Sequence, residues 1–373
     1  MTPADLSRTV LHAVRRAVDE DALRAPVPAR VRVERTRPGG SGDYACAVAL
    51  QLAGPAALPA LEVARILRER VVAEPGVGRV EITGPGFLSF TLAAPAESDR
   101  AVLDAVREQG LAYGHGDALR DEALQFHHAR EVRAAVTAHA VRRLVISQGA
   151  RVRISCEEAP DPDWARLGVT VDAHGTPPVP LTGIRPVPAG ATAGELLRRL
   201  GPDAARWGLL RAAGHDRAAL GPELLVQGEA NPLFRVRYAH ARARALTRGA
   251  ALLGFTAGPA PYSEPAEPAP YGESPADGSA PYGSAGRPLL DLIADHPGVL
   301  LAGARHRAPD RVARQLEAVA HAFFDFHDSC PPLPAGDEKP SAAHRARLAL
   351  AEAAGTVLAG GLSLLGIRAP EHL

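Results

Sequence analysis

Five arginines and no acid stand between Arg235 and Arg248, with Tyr238 and His240 among them. Arg235, Tyr238 and Arg242 recur at i, i+3 and i+7 and would share one face of a helix. Arg237, Arg244 and Arg248 would share a neighbouring face. Asn231 is a good N-cap, and Pro232 sits where a missing N–H costs nothing. The spacing therefore predicts a helix from residue 232 past Leu246. Guanidinium forks on two faces suit a phosphate backbone, and one tyrosine among them suits an unstacked base. By composition alone, a solvated arginine-rich helix fits the same residues.

Other constellations carry less. His127 and His128 adjoin, but no carboxylate or cysteine is spaced to complete a metal site. Cys46, Cys156 and Cys330 are far apart and not in CxxC pairs. That predicts free thiols in a reducing cytoplasm, with neither a disulfide framework nor zinc. Gly114-His-Gly116 lacks the strand-first, helix-next setting of a phosphate loop. No Ser/His/Asp or Cys/His set can be assembled, so no catalytic residue is assigned. Lys339 is the only lysine among 42 basic residues, and arginine does not replace lysine at a catalytic position.

The formal net charge is zero, so whole-molecule attraction to nucleic acid is weak, but the charge is unevenly placed. From Pro186 to Phe255 ten arginines face five acids, and from Phe126 to Ile154 six face one. Such patches hold phosphates in a salt-sensitive way. No run of about 18 apolar residues predicts a membrane span, and the N-terminus lacks a signal-peptide layout.

The elements that would position these residues fall into blocks. Residues 1–95 read as an α+β domain. A helix covers Ala4 to Asp19, and alternating strands cover Val31 to Arg35 and Arg79 to Thr83. Phe87 to Leu92 forms a hairpin partner across Gly84-Pro-Gly86, and a helix runs from Pro59 to Val72. Residues 96–190 are a mixed α/β segment, with a helix over Val132–Gln148, a strand over Ala150–Ile154 and a loop-rich stretch from Glu157 to Gly190. Residues 191–255 and 287–373 read as an all-α helical bundle. Val312, Leu316, Val319, Phe323 and Phe326 form one buried stripe of that bundle. Leu348, Ala351, Gly355, Leu358, Leu362 and Leu365 form another, with Gly366 as the cap. Residues 256–286 repeat Ala-Pro-Tyr three times with four acids and no base, and are expected to be a disordered linker.

Asn231-Pro, four residues, then Arg237-Tyr-Ala-His-Ala-Arg242 resembles the entry to the DALR anticodon-binding domain of arginyl-tRNA synthetases. Gly201-Pro-Asp-Ala-Ala-Arg206 upstream, His296-Pro297, Pro309, Arg347-Leu348 and the closing Leu364 to Leu373 follow in family order. Gly42-Asp-Tyr-Ala45 and Ile82 to Leu88 resemble the family's additional N-terminal domain. The resemblance implies tRNA-contacting roles for Tyr238, Arg242 and Arg244, for Tyr44 and Gln51 near the tRNA elbow, and for Arg345 and Arg347 on the backbone. Ala47 stands where the family often has asparagine.

The family activates arginine with ATP through a His-x-Gly-His helix start and a Lys-Met-Ser-Lys-like loop. Val132 to Leu144, with Gln148-Gly149 after it, resembles the helix that follows the first motif. His128-Ala-Arg-Glu131 then occupies the motif itself. His128 keeps the first histidine, Arg130 replaces the glycine and Glu131 replaces the second histidine. Pro178 to Pro188, where the second motif belongs, has no lysine. The expectation is a vestigial α/β middle segment, a remnant of a class I catalytic domain, between two tRNA-gripping ends. The expected protein is a tRNA-binding one without aminoacylation activity, cofactor or metal. The resemblance also admits a working arginine–tRNA ligase that uses ATP, and the tyrosine-bearing linker admits a protein-interaction module, with a full-length synthetase as one partner.

Overall fold

The computed structural model describes residues 3–36, 41–72, 74, 77–92, 95–258 and 282–373. Contacts divide the chain into two compact units, Met1–Asp104 and Ala105–Leu373.

The first unit opens with α1 (Pro3–Asp19), followed by β1 (Val33–Arg35), β2 (Tyr44–Cys46), α2 (Val48–Ala56), α3 (Ala60–Val71), β3 (Val77–Thr83) and β4 (Phe87–Leu92). The sheet order is β1-β2-β4-β3 and every pairing is antiparallel. Apolar residues of α1 and α3 (Leu6, Val10, Val14, Val63, Leu67) bury against Leu88 and Phe90 of the sheet. The β3–β4 hairpin turns through Gly84 (φ +53°) and Gly86 (φ +132°), and a side chain at Gly86 would meet the Ala60 backbone at 3.1 Å. β2 and α2 were not expected from the sequence. Three residues are too few to show a period, and α2 carries Gly54 and Pro55.

A helix, α4 (Pro95–Gln109), leads into the second unit. There β5 (Ala123–His128), α5 (Val132–Ser147) and β6 (Arg151–Cys156) form one strand–helix–strand crossover. A 3-10 helix (Pro162–Leu167) and the short strands β7 (Ala173–His174) and β8 (Thr182–Ile184) follow, inside the stretch expected to be loop. The sheet is wholly parallel in the order β7-β6-β5-β8. The chain thus leaves β5 toward β6 on one side and returns as β8 on the other. Strands of two and three residues leave no readable alternation, so β7 and β8 are set by pairing with β5 and β6 and not by local sequence.

The helices are α6 (Ala193–Arg211), bent at Gly201, then α7 (Pro232–Leu252), α8 (Gly283–His306), α9 (Asp310–Ser329) and α10 (Ala342–Leu364). Residues 212–231 between α6 and α7 are mostly irregular, where a continuous helical block was expected. α8 begins at Gly283, so residues 283–286 of the expected linker are helical. Residues 259–281, where the disorder was expected, lie outside the described residues. Both apolar stripes are buried as the spacing predicts. Gly366 (φ +72°) closes α10, with Ile367 N–H donating to Leu362 O at 2.9 Å. No single helix among the described residues is long and apolar enough to cross a membrane.

Two buried arginines join the parallel sheet's helix to the bundle. Arg133 of α5 donates to the carbonyls of Leu209, Val187, Asp216, Ala212 and Ala213 at 2.6–3.0 Å. Arg206 of α6 donates to Leu365 O at 2.7 and 2.9 Å and to Leu167 O at 2.6 Å. Burial lowers the Arg206 pKa to about 10, and the carbonyl oxygens stand in for a carboxylate.

Beside Arg206, His139 is pushed down to about 4 by burial and then by Arg206 and its arginine neighbours. His296, in the α8–α9 contact with Nδ1–H donating to Gln315 Oε1 at 2.6 Å, is pushed down to about 4 by burial. Both are neutral when folded and accept protons more readily when unfolded, from an ordinary value of 6.5. Their contribution is complete above pH 6.5 and is lost as pH falls toward 4. Urea denaturation of the chain at pH 7.0 and at pH 4.5 is expected to show a loss on the order of a few kcal/mol. His296→Gln should flatten that pH dependence.

Candidate nucleic-acid interface

α7 starts because Asn231 satisfies its first turn. Asn231 Oδ1 accepts from Leu233 N–H and Phe234 N–H, and Nδ2 donates to Leu224 O and Val226 O at 2.8 and 2.9 Å. With both ends of the amide used, Asn231 sets the angle at which the chain enters the helix. Leu233, Val236, Ala239, His240, Ala243 and Leu246 are buried. His240 faces inward, its Nδ1–H donating to Gly355 O at 3.0 Å, so it belongs to the α7–α10 contact.

The outward residues divide by face, as their spacing implies. On one face Tyr238 is 44 % exposed. Its ring stacks on Phe234 (centroids 5.7 Å, planes 10° apart) and on Phe324 of α9 (5.4 Å, 24°). Arg242, one turn on, is exposed and donates from Nε to His327 Nε2 at 3.3 Å. Arg235 donates to Glu229 O at 2.6 Å. This is a three-ring aromatic surface with cations at its side, the arrangement that stacks a base next to its phosphate. Phe234 was visible one turn before Tyr238. Phe324 reaches the stack from another helix, and no local pattern signals it.

The other face meets the C-terminal tail. Asp203 of α6, 8 % exposed, accepts from Arg237 Nη2 at 2.5 Å and Arg368 Nε at 2.9 Å. Arg237 Nε also donates to Arg368 O at 3.1 Å. Arg244 pairs with Glu371 at 3.1 Å, and Arg248 approaches His372 at 3.5 Å. Arg237 is thus a structural tie, whereas Arg244 and Glu371 are half exposed, a weak pair that a phosphate can displace.

The remaining expected contacts scatter. Arg345 is exposed, lies over the Phe255 ring at 5.8 Å and donates to Thr256 O at 3.5 Å. Arg347 is half-buried and donates to Pro331 O at 3.4 Å. In the first unit Gln51 is exposed on α2. Tyr44 departs from its expected surface role. It is 4 % exposed and lies in the first unit's core, because β2 pairs with β4 and puts it beside Phe90.

The His128–Glu131 stretch sits at the carboxyl end of β5 and the start of α5. His128 is buried against Trp164 (centroids 5.8 Å), with Nδ1–H donating to Ala129 O at 2.8 Å and Nε2 buried without a partner. Burial lowers its pKa. Arg130 donates to Ala159 O at 2.9 Å. Glu131 is the N-cap of α5. One oxygen accepts from Ala134 N–H at 2.8 Å and the other from Ala189 N–H at 2.9 Å. Its carboxylate stands at the positive end of α5, where a helix would otherwise receive an anionic ligand. Among the described residues no three His, Cys, Asp or Glu side chains gather as metal ligands.

Residues 236–373 match the family model of the DALR anticodon binding domain, and residues 5–92 match that of the arginyl tRNA synthetase N terminal domain. The chain is similar to the arginine–tRNA ligase of Frankia alni, 26% identical over 573 aligned positions that take in all of both chains. Those positions outnumber this chain's 373 residues, so the alignment carries long gaps on its side. The arginine–tRNA ligase of Pseudarthrobacter chlorophenolicus is 37% identical over 180 residues, which are 48% of this chain and 30% of that relative. Among solved structures, Thermus thermophilus arginyl-tRNA synthetase has a TM-score of 0.67 at 15% identity over the whole of both chains. Arginyl-tRNA synthetase from Plasmodium falciparum has a TM-score of 0.60 at 8% identity, over all of this chain and 99% of that one. At these identities the structures show a shared fold.

Because Glu131 holds an α5 N–H with one oxygen and a loop N–H with the other, Glu131→Ala is expected to destabilise the second unit by about 1–3 kcal/mol. A chemical melt of the full chain would measure that loss, and an unchanged midpoint would show that the cap contributes nothing.

Proposed function

Since the chain belongs to the arginyl-tRNA synthetase family through its two terminal domains, we propose that it binds tRNA through the α7–α9 surface and does not aminoacylate it. The observation that carries the first half is the Phe234–Tyr238–Phe324 stack with Arg242 beside it. An exposed aromatic face flanked by guanidinium groups offers stacking and charge together, and little else at a protein surface needs both. Arg244 joins it once Glu371 gives way. Arg345 and Arg347 are candidate backbone contacts, Gln51 of the first unit is a candidate contact near the tRNA elbow, and Tyr44 supports the first unit from inside.

The second half rests on α5. In a nucleotide-binding helix start, backbone N–H groups and the helix dipole meet a phosphate. Here Glu131 already takes that place, and its charge repels a triphosphate. Arg130 stands where the family's glycine leaves room, and the Pro178–Pro188 stretch brings no lysine. ATP does not fit these residues, so no step of an activation reaction is derived through them. The three cysteines are free thiols, which suits work in the cytoplasm. A full-length synthetase remains a candidate partner for a protein that grips tRNA without charging it.

Filter binding of the full chain to total tRNA at low salt is expected to give a Kd in the micromolar range or tighter, weakening steeply as salt rises. Tyr238→Ala should weaken it roughly 5- to 100-fold, the loss of one stacked base. Arginine-dependent ATP–pyrophosphate exchange is expected to be absent. Exchange above background would establish the working ligase in its place, and failure to bind any tRNA would remove the α7–α9 reading.

A further inference from the structure

Parallel sheets are normally covered on both faces, because their crossovers lay helices on each side. Among the described residues the β7-β6-β5-β8 sheet is covered on one. Phe126, His128, Ile154, Cys156 and Ile184 point toward α5 and are largely buried. The alternate residues form the other face, since side chains alternate along each strand and paired residues in register share a side. These are Ala123, Gln125 and His127 of β5, Arg151, Arg153 and Ser155 of β6, Ala173 of β7 and Gly183 of β8. Gln125, Arg151, Arg153 and Gly183 are exposed. Arg185, just after β8, folds back over Gly183, its Nε 3.0 Å from where a Cβ would stand, and so lies on this same face beside His127.

The face is chemically uniform. With Arg185 it carries three arginines, a histidine, a glutamine, a serine, two alanines and a glycine, and no carboxylate at any of these positions; the exposed Glu157 follows at the carboxyl end of β6, its N–H donating to His128 O at 3.0 Å. His127 Nδ1 and Ser155 Oγ are hydrogen-bonded at 2.8 Å, which holds both side chains against the sheet. Among the described residues the side chains of Arg151, Arg153 and Arg185 make no ion pair and no hydrogen bond. That sets them apart from Arg142, Arg211, Arg237, Arg244 and Arg314 of the same unit, all of which pair with carboxylates. Arg151 and Arg153 stand about 6.6 Å apart along their strand, and β5 and β8 add the next two rows at about 4.8 Å each.

We propose that this open sheet face is a second docking surface for the RNA, one that holds its sugar–phosphate backbone. The proposal rests on the tRNA-binding reading and extends it to a part of the chain that no terminal domain includes. Charge complementarity selects the occupant. A protein partner would look for aromatic or aliphatic anchors at the centre of its patch, and this face has none. Nucleic-acid interfaces are polar and strongly positive, and unpaired guanidinium forks match phosphate oxygens bidentately. The face reads no sequence. It adds affinity and orients an RNA already held by its anticodon end.

The test uses the full chain with Arg151→Gln, Arg153→Gln and Arg185→Gln together, read by tRNA filter binding across a salt series. These side chains have no partners to lose, so melts should match wild type. Binding at low salt is expected to fall at least about tenfold, and the slope of log K against log salt to become shallower by about two to three. The matching triple lysine variant, which keeps the charges, should retain the slope. If the glutamine variant binds tRNA with unchanged affinity and slope while Tyr238→Ala weakens it, this face is not an RNA surface and the α7–α9 reading stands alone. If wild type binds no tRNA, that first reading fails and takes this one with it. A glutamine variant that keeps tRNA but loses a nuclease-resistant acidic protein partner would assign the face to protein and overturn the RNA proposal.

Discussion

The second unit depends on buried guanidinium groups held by backbone carbonyls. Arg133 gathers the last carbonyls of α6 together with Val187 O and Asp216 O, and Arg206 clamps the end of α10 to the end of the 3-10 helix at Leu167. A helix C-terminus carries unsatisfied carbonyls and partial negative charge, so a cation there is stabilised without a carboxylate. Each arginine also removes orphan acceptors that would be costly to bury. The result ties α5, and hence β5 and β6, to the helical bundle. A small parallel sheet with one covered face could not support itself, but as an outgrowth of the bundle it needs no core of its own.

That attachment fixes the start of α5. α5 is pinned at Arg133 near its start and lies along Arg206 through His139 farther on. Its N-terminus is therefore fixed in place and its dipole must be answered. In a nucleotide-binding protein the ligand answers it. Here Glu131 does so with one oxygen, and with the other it holds Ala189 N–H and the return of the chain toward α6. One side chain makes the helix start self-satisfied. His128 remains beside it as a buried neutral ring on Trp164, a packing residue with one nitrogen left over.

Legibility in the sequence followed the range of the forces. Period and caps are local, so the stripes of α9 and α10, the Asn231 cap, the Gly84–Gly86 hairpin and the two faces of α7 could be read directly. What required a partner distant in sequence was lost. β7 and β8 exist only because β6 and β5 accept them. The resemblance put Tyr44 near the tRNA elbow, and nothing in its three-residue strand reveals that it is buried beside Phe90 of β4. Phe324 completes the stack on Tyr238 from 86 positions away in the chain, and Glu371 meets Arg244 across 127. Arg133 and Arg206 were counted as part of a basic patch, yet both are buried, because carbonyl acceptors leave no trace in composition.

The same distinction governs how a chain of zero net charge can attract a polyanion. Total charge counts every arginine alike, but the fold does not. Arg133 and Arg206 are spent on carbonyls, Arg237 and Arg142 on carboxylates, and none of these is available to a phosphate. For the cations left over, position matters more than number. Arg242 stands beside an aromatic stack, and Arg151, Arg153 and Arg185 stand on an exposed sheet face. Association driven by such patches is short-ranged, because salt screens charges beyond about 10 Å and the molecule as a whole exerts no pull. A binder of this kind gains little from long-range steering, so under the proposed reading its selectivity would arise at contact, from the spacing of the cations and the exposed ring of Tyr238.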